Sequence, residues 1–315
     1  MESIILSTRA IMPIFIMMLL GYFMKKINLA DKHSFDAINR IVFKVFLPLL
    51  LFYNIYKTDI GEILNPALII FTISAILVTF AIGYVAVFHI SKKNSVRGVV
   101  LQAIFRSNYA ILGVPLVGYI CGEDAGALSS VMVAIIVPVF NVLAVVALER
   151  FRDNSEKLDI AALFKGIVTN PLIISCVVGL LFVLFKIPLP SVAEKCVKDL
   201  SALATPLALI VLGANFEFSG TTGYLKEIII VSLARLIIVP AFAISAAAFL
   251  GFRGEAMVCV LITFASPVAV SSYAMAKQMG GDEALAGQIV VVTSALCLVT
   301  LFLWIFLMSR IGLFV

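Results

Sequence analysis

The chain has 315 residues, of which 63% are apolar and 13% are charged, and its net charge is +5. Soluble domains carry about 25% charged residues, so this composition excludes a soluble protein and predicts a polytopic membrane protein. No basic stretch is interleaved with aromatic side chains, which excludes a nucleic-acid partner and leaves the lipid bilayer as the surroundings of the chain.

Apolar stretches bounded by charged loops predict ten transmembrane spans, at roughly 3–24, 37–56, 66–89, 98–120, 126–148, 163–185, 197–216, 224–250, 255–277 and 284–309. Fourteen Lys and Arg residues lie in or beside the loops that follow odd-numbered spans, and seven lie on the other side. Since basic loops stay in the cytoplasm, we expect a multi-pass plasma-membrane protein with both termini on the extracytoplasmic side.

Landmark residues recur at one offset of 158 positions: Pro13 and Pro171, Gly21 and Gly179, Pro48 and Pro206. This indicates a first half, 1–150, and a second half, 163–315, joined by a cytoplasmic link, 151–162. Each half holds five spans, and an odd number inverts the second half relative to the first. The predicted fold is therefore an all-α polytopic membrane protein with ten transmembrane helices in a five-plus-five inverted repeat.

Helix-breaking residues interrupt the fourth and ninth spans, at Arg106–Pro115 and Ala265–Pro267. Irregular backbone at membrane depth is tolerated where it is buried in protein or lines a cavity, so we expect the two broken helices to cross and share a polar site. Ser266 followed by Pro267 predicts the N-cap and first residue of a new half-helix. At the 158-residue offset Asn108 falls opposite Ser266.

Half-helix N-termini carry partial positive charge and suit a carboxylate. We therefore predict a substrate-binding site made by the side chains and amides of both breaks: Ser107, Asn108, Gly113, Val114, Pro115, Ser266, Pro267 and Val268. Four further polar residues are candidates for lining the cavity or holding an ion: Asn141, Ser271, Thr293 and Ser294. Ser and Thr in such helices also bond their own backbone, which is the alternative for three of them.

Two basic residues fall within spans, and a guanidinium inside a membrane is costly enough to be a candidate partner for an anion. Arg106 lies nine residues into its span, so its side chain could instead snorkel to the cytoplasmic surface. Arg235 lies in the middle of the eighth span, where it could pair with an anion or with a helix C-terminus.

The segments Arg106–Gly113 and Pro267–Asp282 resemble the two crossover helices of the auxin efflux carrier family, whose bacterial members include malate permease-like proteins. Leu20-Gly21-Tyr22 and the stretch Asn39–Pro48 are also similar to that family, so the resemblance covers essentially the whole chain. It implies a transporter of a small organic anion, a carboxylate such as malate or an auxin-like acid. The family shares its fold with bile acid sodium symporters.

The resemblance also implies elevator-type alternating access, with helices 1, 2, 6 and 7 as the scaffold and helices 3–5 and 8–10 as the transport domain. A homodimer through the scaffold helices is a further expectation. A coupling cation, Na⁺ or H⁺, is left open. The spans hold no deep Asp or Glu, and His33 and His89 sit in or beside loops, which favours sodium coupling or uniport.

No cofactor or metal is predicted, because the five cysteines form no Cys-x-x-Cys pair and no His-Glu-x-x-His is present. The same absences, together with the lack of aspartate clusters, disfavour an intramembrane enzyme. A uniporter or channel-like facilitator, and a receptor or structural subunit that transports nothing, stay as alternatives.

Overall fold

The computed structural model describes residues 2–57, 65–109, 117, 120–121, 126–152, 164–165, 168–215 and 223–314, with the backbone alone at 2–11, 14, 126–127 and 130. Its helices, in chain order, are α1 (Glu2–Lys26), α2 (Lys32–Ile41, a π turn Val42–Phe46 and Leu47–Tyr56), α3 (Pro66–Ile90), α4 (Asn94–Phe105), α5 (Gly126–Arg150), α6 (Pro171–Leu184), α7 (Ser191–Ala202 and Ala204–Asn215), α8 (Leu225–Leu233, a π turn Ala234–Ile238 and Val239–Phe249), α9 (Gly254–Ala265), α10 (Ser271–Gln278) and α11 (Glu283–Arg310).

Five helices among the described residues are long and apolar enough to cross a membrane: α3, the Val131–Arg150 part of α5, α7, α8 and α11. Shorter apolar helices, including α6 and α9, accompany them. On α3 the large side chains of Ile70, Val78, Ile82 and Val85 are exposed, as is expected of a surface that faces lipid tails. Within the described ranges the predicted class, a helical multi-pass membrane protein, is confirmed.

Helices of equal length recur along the chain. The segments Lys32–Tyr56 and Ser191–Asn215 each span 25 residues, as do Pro66–Ile90 and Leu225–Phe249. The paired starts lie 159 residues apart, close to the offset of the sequence landmarks. The shorter helices α4 and α9 have 12 residues each, and their starts, 94 and 254, lie 160 residues apart.

Two glycines allow α1 and α7 to touch through their backbones. A Cβ atom on Gly21 would collide with the carbonyl of Ile210, and one on Gly213 would collide with the carbonyl of Met18. Small residues at a helix crossing let membrane helices approach closely, which strengthens van der Waals packing where no hydrophobic force acts between them. α1 and α7 are therefore a closely packed pair.

The remaining contacts divide the helices into two groups. In the first group, α1 packs on α7, and α2 packs mainly on α6 and α7. In the second group, α4 packs on α3 and α5, α9 packs on α8, and α11 packs on α8 and α10. The two groups meet along α1 and α11 and along α2 and α5. The ends of α4 and α9 lie inside the second group, on the side that faces α2 and α7.

Candidate functional site

The breaks in the fourth and ninth predicted spans meet in the protein interior. α4 ends at Phe105 and α9 ends at Ala265, and the residue after each helix is extended, with ψ 119° at Arg106 and 155° at Ser266. Ser107 then forms an isolated antiparallel bridge with Val268, in which the Asn108 amide donates to the Pro267 carbonyl at 2.9 Å. We call this junction the crossing.

The prediction that Ser266 caps a new half-helix was wrong. Its amide donates to the Ile262 carbonyl at 3.3 Å, so Ser266 closes the C-terminal end of α9, and α10 begins at Ser271 with no side-chain cap. Proline is common directly after a helix end because it cannot continue the helix, and Pro267 fits that role. The amide of Asn108 donates to the carbonyl of this Pro267.

Two hydroxyl groups fasten the crossing to neighbouring backbone. Ser107 Oγ donates to the Ile262 carbonyl in the last turn of α9 at 3.3 Å. Thr293 Oγ1 on α11 accepts from the Val268 amide at 3.3 Å and donates to the Ile289 carbonyl at 2.7 Å. Because buried backbone groups are costly to leave unpaired, Thr293 supports the extended segment instead of lining a cavity.

A cavity of about 60 Å³ lies beside the crossing. Space of this size holds roughly four water molecules, or a ligand of similar bulk. Of the predicted substrate-binding residues, Ser107 and Asn108 line it. The cavity-lining candidate Ser271 and the candidate anion partner Arg106 line it as well. The rest of the lining comes from α2, α5, α7 and the two residues before α10: Leu47, Leu50, Leu51, Val137, Phe140, Thr205, Ala208, Ala269 and Val270.

Arg106 is buried at the edge of this cavity, with 4% of its surface exposed. Its Nη2 donates to Asn141 Oδ1 at 2.7 Å and to Ser271 Oγ at 2.9 Å, and Nη1 contacts the sulfur of Met275. The alternative in which Arg106 snorkels to the membrane surface is therefore wrong. All these partners are neutral, and among the described residues no carboxylate lies within ion-pair distance of the guanidinium.

Asn108 adds a second group to the cavity wall. The residue is 4% exposed, and its amide Nδ2 has no hydrogen-bond partner within the part of the chain that the structure describes. A buried donor without a partner is costly unless a ligand or water completes it. Arg106 and Asn108 thus supply a positive charge and free N–H groups to the same cavity, which is the chemistry that a carboxylate requires.

Arg235 lies on another side of the crossing and is fully buried. Its guanidinium donates to three backbone carbonyls: Nε to Ser266 at 2.9 Å, Nη1 to Phe105 at 3.1 Å and Nη2 to Thr263 at 2.7 Å. The sequence allowed an anion or a helix C-terminus as the partner of Arg235. The structure shows helix C-termini, with carbonyls from the ends of both α4 and α9.

Several predicted residues lie apart from the cavity wall. Asn141 contacts Arg106 and is not part of the cavity lining. Ser294 is buried, and its Oγ has no hydrogen-bond partner among the residues that the structure describes. Gly113, Val114 and Pro115 lie outside the described residues. No group of three or more potential metal-binding side chains occurs in the described ranges.

Sequence reasoning missed the contribution of α2 and α7 to the cavity. Leu47 precedes Pro48 directly after the π turn of α2. Thr205 precedes Pro206 two residues after Leu203, where α7 is interrupted. The two prolines were recognised as repeat landmarks. Irregular turns next to proline change which face of a helix points to the interior. Pro48 and Pro206 were therefore the signal in the sequence that α2 and α7 contribute to the cavity.

Comparison with known proteins agrees with a transporter. The family model described as membrane transport protein matches residues 6–305. An "uncharacterized transporter" of Methanothermobacter thermautotrophicus is 24% identical over 95% of this chain and 97% of its own length. A "putative malonate transporter" of Rhizobium meliloti is 23% identical over 93% of each chain. The match covers nearly the whole chain, which therefore belongs to the membrane transport protein family, the family of the auxin efflux carriers.

Proposed function

We propose that the protein carries a small organic anion, a short carboxylate, across the plasma membrane. The observation that carries this proposal is Arg106, a buried guanidinium on the wall of a cavity. Among the described residues it bonds neutral groups alone. A buried charge without a counter-charge is strongly unfavourable. A bound carboxylate would supply that counter-charge, and Asn108 would donate a further hydrogen bond to it.

We also propose a role for each of the other predicted residues. Ser107 and Ser271 belong to the cavity wall with Arg106 and Asn108. Pro267 and Val268 hold the crossing through their backbone, and Asn141 orients Arg106. Gly113–Pro115 and Ser266 stay predictions as direct contacts, and so do the half-helix amides of the fourth span.

The size of the cavity supports a short substrate. About 60 Å³ suits a carboxylate of a few carbon atoms better than an auxin-like acid with a fused ring. The name of the Rhizobium meliloti relative mentions malonate, a three-carbon dicarboxylate, and malate is one carbon longer. We propose malonate and malate as the first compounds to test, with acetate to measure the contribution of the second carboxylate.

We further propose elevator-type alternating access, in which α1, α2, α6 and α7 form the scaffold and the other helices form the transport domain. The two packing groups and the recurring helix lengths support this division and the inverted repeat behind it. The cavity lies between scaffold residues, such as Leu51 and Thr205, and the crossing. A movement of the transport domain would therefore carry the crossing past α2 and α7.

An ion pair joins the proposed scaffold to the proposed transport domain. Lys277 at the end of α10 contacts Asp36 near the start of α2 at 2.6 Å, and it also contacts Glu283 of α11 at 3.0 Å. The side chain of Lys277 is only 9% exposed, so its charge is screened less than that of a surface pair. We propose that the Asp36–Lys277 contact must break when the transport domain moves.

Two expectations from the sequence stay as proposals. Extracytoplasmic termini rest on the distribution of basic loops. A homodimer through the scaffold is compatible with the large exposed side chains on α1 and α6, for example Leu19, Leu20 and Leu181. Native mass spectrometry of the purified protein would give the number of copies, and protease digestion of sealed vesicles would locate the termini.

A thermal-shift screen of the purified protein tests the substrate class. We expect malonate and malate to raise the melting temperature, and uncharged amides of the same acids to have no effect. Uptake of radiolabelled malonate into liposomes, with and without a sodium or pH gradient, separates a coupled carrier from a uniporter or channel. If a neutral or cationic solute stabilised the protein and no carboxylate did, the proposal would be wrong. A receptor or a structural subunit would then be the better interpretation.

A further inference from the structure

Arg235 places a fixed positive charge where two helices end. The last four carbonyls of a helix have no donor within the helix, and they give the C-terminal end about half a negative charge. At the crossing the ends of α4 and α9 meet, through Phe105 on one helix and through Thr263 and the cap residue Ser266 on the other. Two partial negative charges therefore lie together inside the protein.

Such a cluster of carbonyls is the kind of place where a membrane carrier coordinates a small cation. In this protein the guanidinium occupies it, since each of its three nitrogens donates to a different carbonyl at 2.7 to 3.1 Å. The planar guanidinium suits this task, because its N–H groups diverge and it cannot lose its proton within proteins.

The position of Arg235 on α8 is also specialised. It lies in the π turn Ala234–Ile238, and the next carbonyl, of Leu236, accepts from the indole nitrogen of Trp304 at 2.9 Å. π turns occur frequently at functional sites because they displace a side chain from the regular helix face. Here the turn directs Arg235 to the crossing, and Trp304 satisfies part of the backbone at that turn.

We propose that Arg235 is a resident cation that takes the place of a coupling ion at the crossing. The inference rests on the proposed function and deepens it: this carbonyl cluster binds no sodium ion, and anion binding at the cavity does not depend on sodium. An entering sodium ion would have to displace three hydrogen bonds and would lie beside a charge of its own sign.

The two buried arginines thereby have different roles. Arg106 lines the cavity and bonds side chains, so its charge is available to the anion. Arg235 does not line the cavity, and all three of its bonds go to backbone carbonyls. Arg235 is thus a positioning residue, which holds the ends of α4 and α9 together so that Arg106 and Asn108 keep their places.

The first test uses the wild-type protein. Malonate binding and uptake are measured in sodium chloride and in choline chloride at equal ionic strength, and radioactive sodium is followed in the same vesicles. We expect the dissociation constant to agree within twofold between the two salts and no sodium to enter with malonate. A tenfold weakening in choline, or sodium uptake that depends on malonate, would overturn the proposal.

The second test removes the guanidinium of Arg235, so that the three carbonyls become available to an added cation. In Arg235→Ala the three carbonyls lose their donor, so we expect a lower melting temperature that methylguanidinium at millimolar concentration restores in part. The wild type and the surface variant Lys195→Gln should show no such rise. Arg235→Lys keeps the charge and should be more stable than Arg235→Ala. A melting temperature of Arg235→Ala equal to that of the wild type would contradict the role of Arg235.

These tests distinguish a failure of the proposed carboxylate transport from a failure of the role proposed for Arg235. Rescue by methylguanidinium is read from stability alone and needs no anion, so it stands even if no carboxylate binds. If Arg235→Ala cannot be purified, the sodium measurements on the wild type still decide the question. Carboxylate binding that requires sodium would leave the proposed function in place and remove this inference.

Discussion

The amide of Asn108 donates a 2.9 Å hydrogen bond to the carbonyl of Pro267, across 159 residues of sequence. This bond joins the two interrupted helices at the point where each leaves its helical path. Because the bond uses only backbone atoms of Asn108, its side chain stays available, and the amide Nδ2 has no partner among the described residues. One residue thus holds the crossing and offers a donor to the cavity.

Substitution of Asn108 separates these two roles. Asn108→Ala keeps the backbone bond and removes the donor, so we expect the melting temperature to stay within a few degrees of the wild type. The affinity for malonate should fall about fivefold, since one hydrogen bond contributes about 1 kcal/mol. Isothermal titration of both proteins measures the change.

Asn108→Asp is a stronger version of the same test. The new carboxylate would pair with Arg106 across the cavity and supply the counter-charge from within the protein. We expect it to abolish malonate binding while leaving the protein folded. Unchanged affinity in Asn108→Asp would show that the anion binds elsewhere.

The ion pair between Asp36 and Lys277 is predicted to hold the proposed scaffold against the transport domain. Asp36→Asn breaks this contact, and Glu283→Gln is the matched control, because it removes the other partner of Lys277 within the transport domain. Asn39, one helical turn along α2, is fully buried. A cysteine at that position is shielded in this structure, so faster labelling would report an opening of the packing around α2.

We expect a membrane-impermeant maleimide to label Asn39→Cys about threefold faster when Asp36→Asn is added, as the loss of an ion pair of about 0.7 kcal/mol predicts. Glu283→Gln should leave the rate unchanged. The background carries Cys196→Ser, because Cys196 is exposed, whereas the other described cysteines are buried or half-buried. Equal labelling in all three proteins would argue against an interface at Asp36–Lys277 that opens.

The close approach of α1 and α7 makes Gly213 intolerant of a side chain. In Gly213→Ala the added methyl group would collide with the carbonyl of Met18, and overpacking of this kind costs about 1–3 kcal/mol. We expect the melting temperature to fall by about 5 °C. Gly223→Ala is the control, since no atom of the described residues lies within 4 Å of its added carbon. Equal melting temperatures would show that the two helices can separate without cost.

Much of the fold could be predicted from the sequence because the membrane restricts the choice. Apolar stretches of sufficient length must be helices there, and polar or helix-breaking residues within them mark irregular backbone. The breaks after Arg106 and near Ser266 were predicted on this ground, and the structure shows that they meet. The substrate and the inverted repeat stay proposals.

The details of the crossing could not be predicted. Ser-Pro is compatible with the start of a helix and with the residues after its end, and only the structure shows that Ser266 ends α9. The partners of Arg235 are backbone carbonyls, which every residue possesses, so residue types gave no indication of them. The burial of Arg106 depends on Asn141, Ser271 and Met275, which come from other helices.

The central claim is that Arg106 binds the carboxylate, and malonate binding to Arg106→Gln tests it most directly. Glutamine keeps much of the size and loses the charge, so we expect affinity to fall about 30-fold, the equivalent of about 2 kcal/mol for a charge-assisted hydrogen bond. Arg106→Lys should lose less, and Lys195→Gln, with the same change of net charge, should bind as the wild type does. If folded Arg106→Gln bound malonate with wild-type affinity, the cavity beside the crossing would not be the anion site.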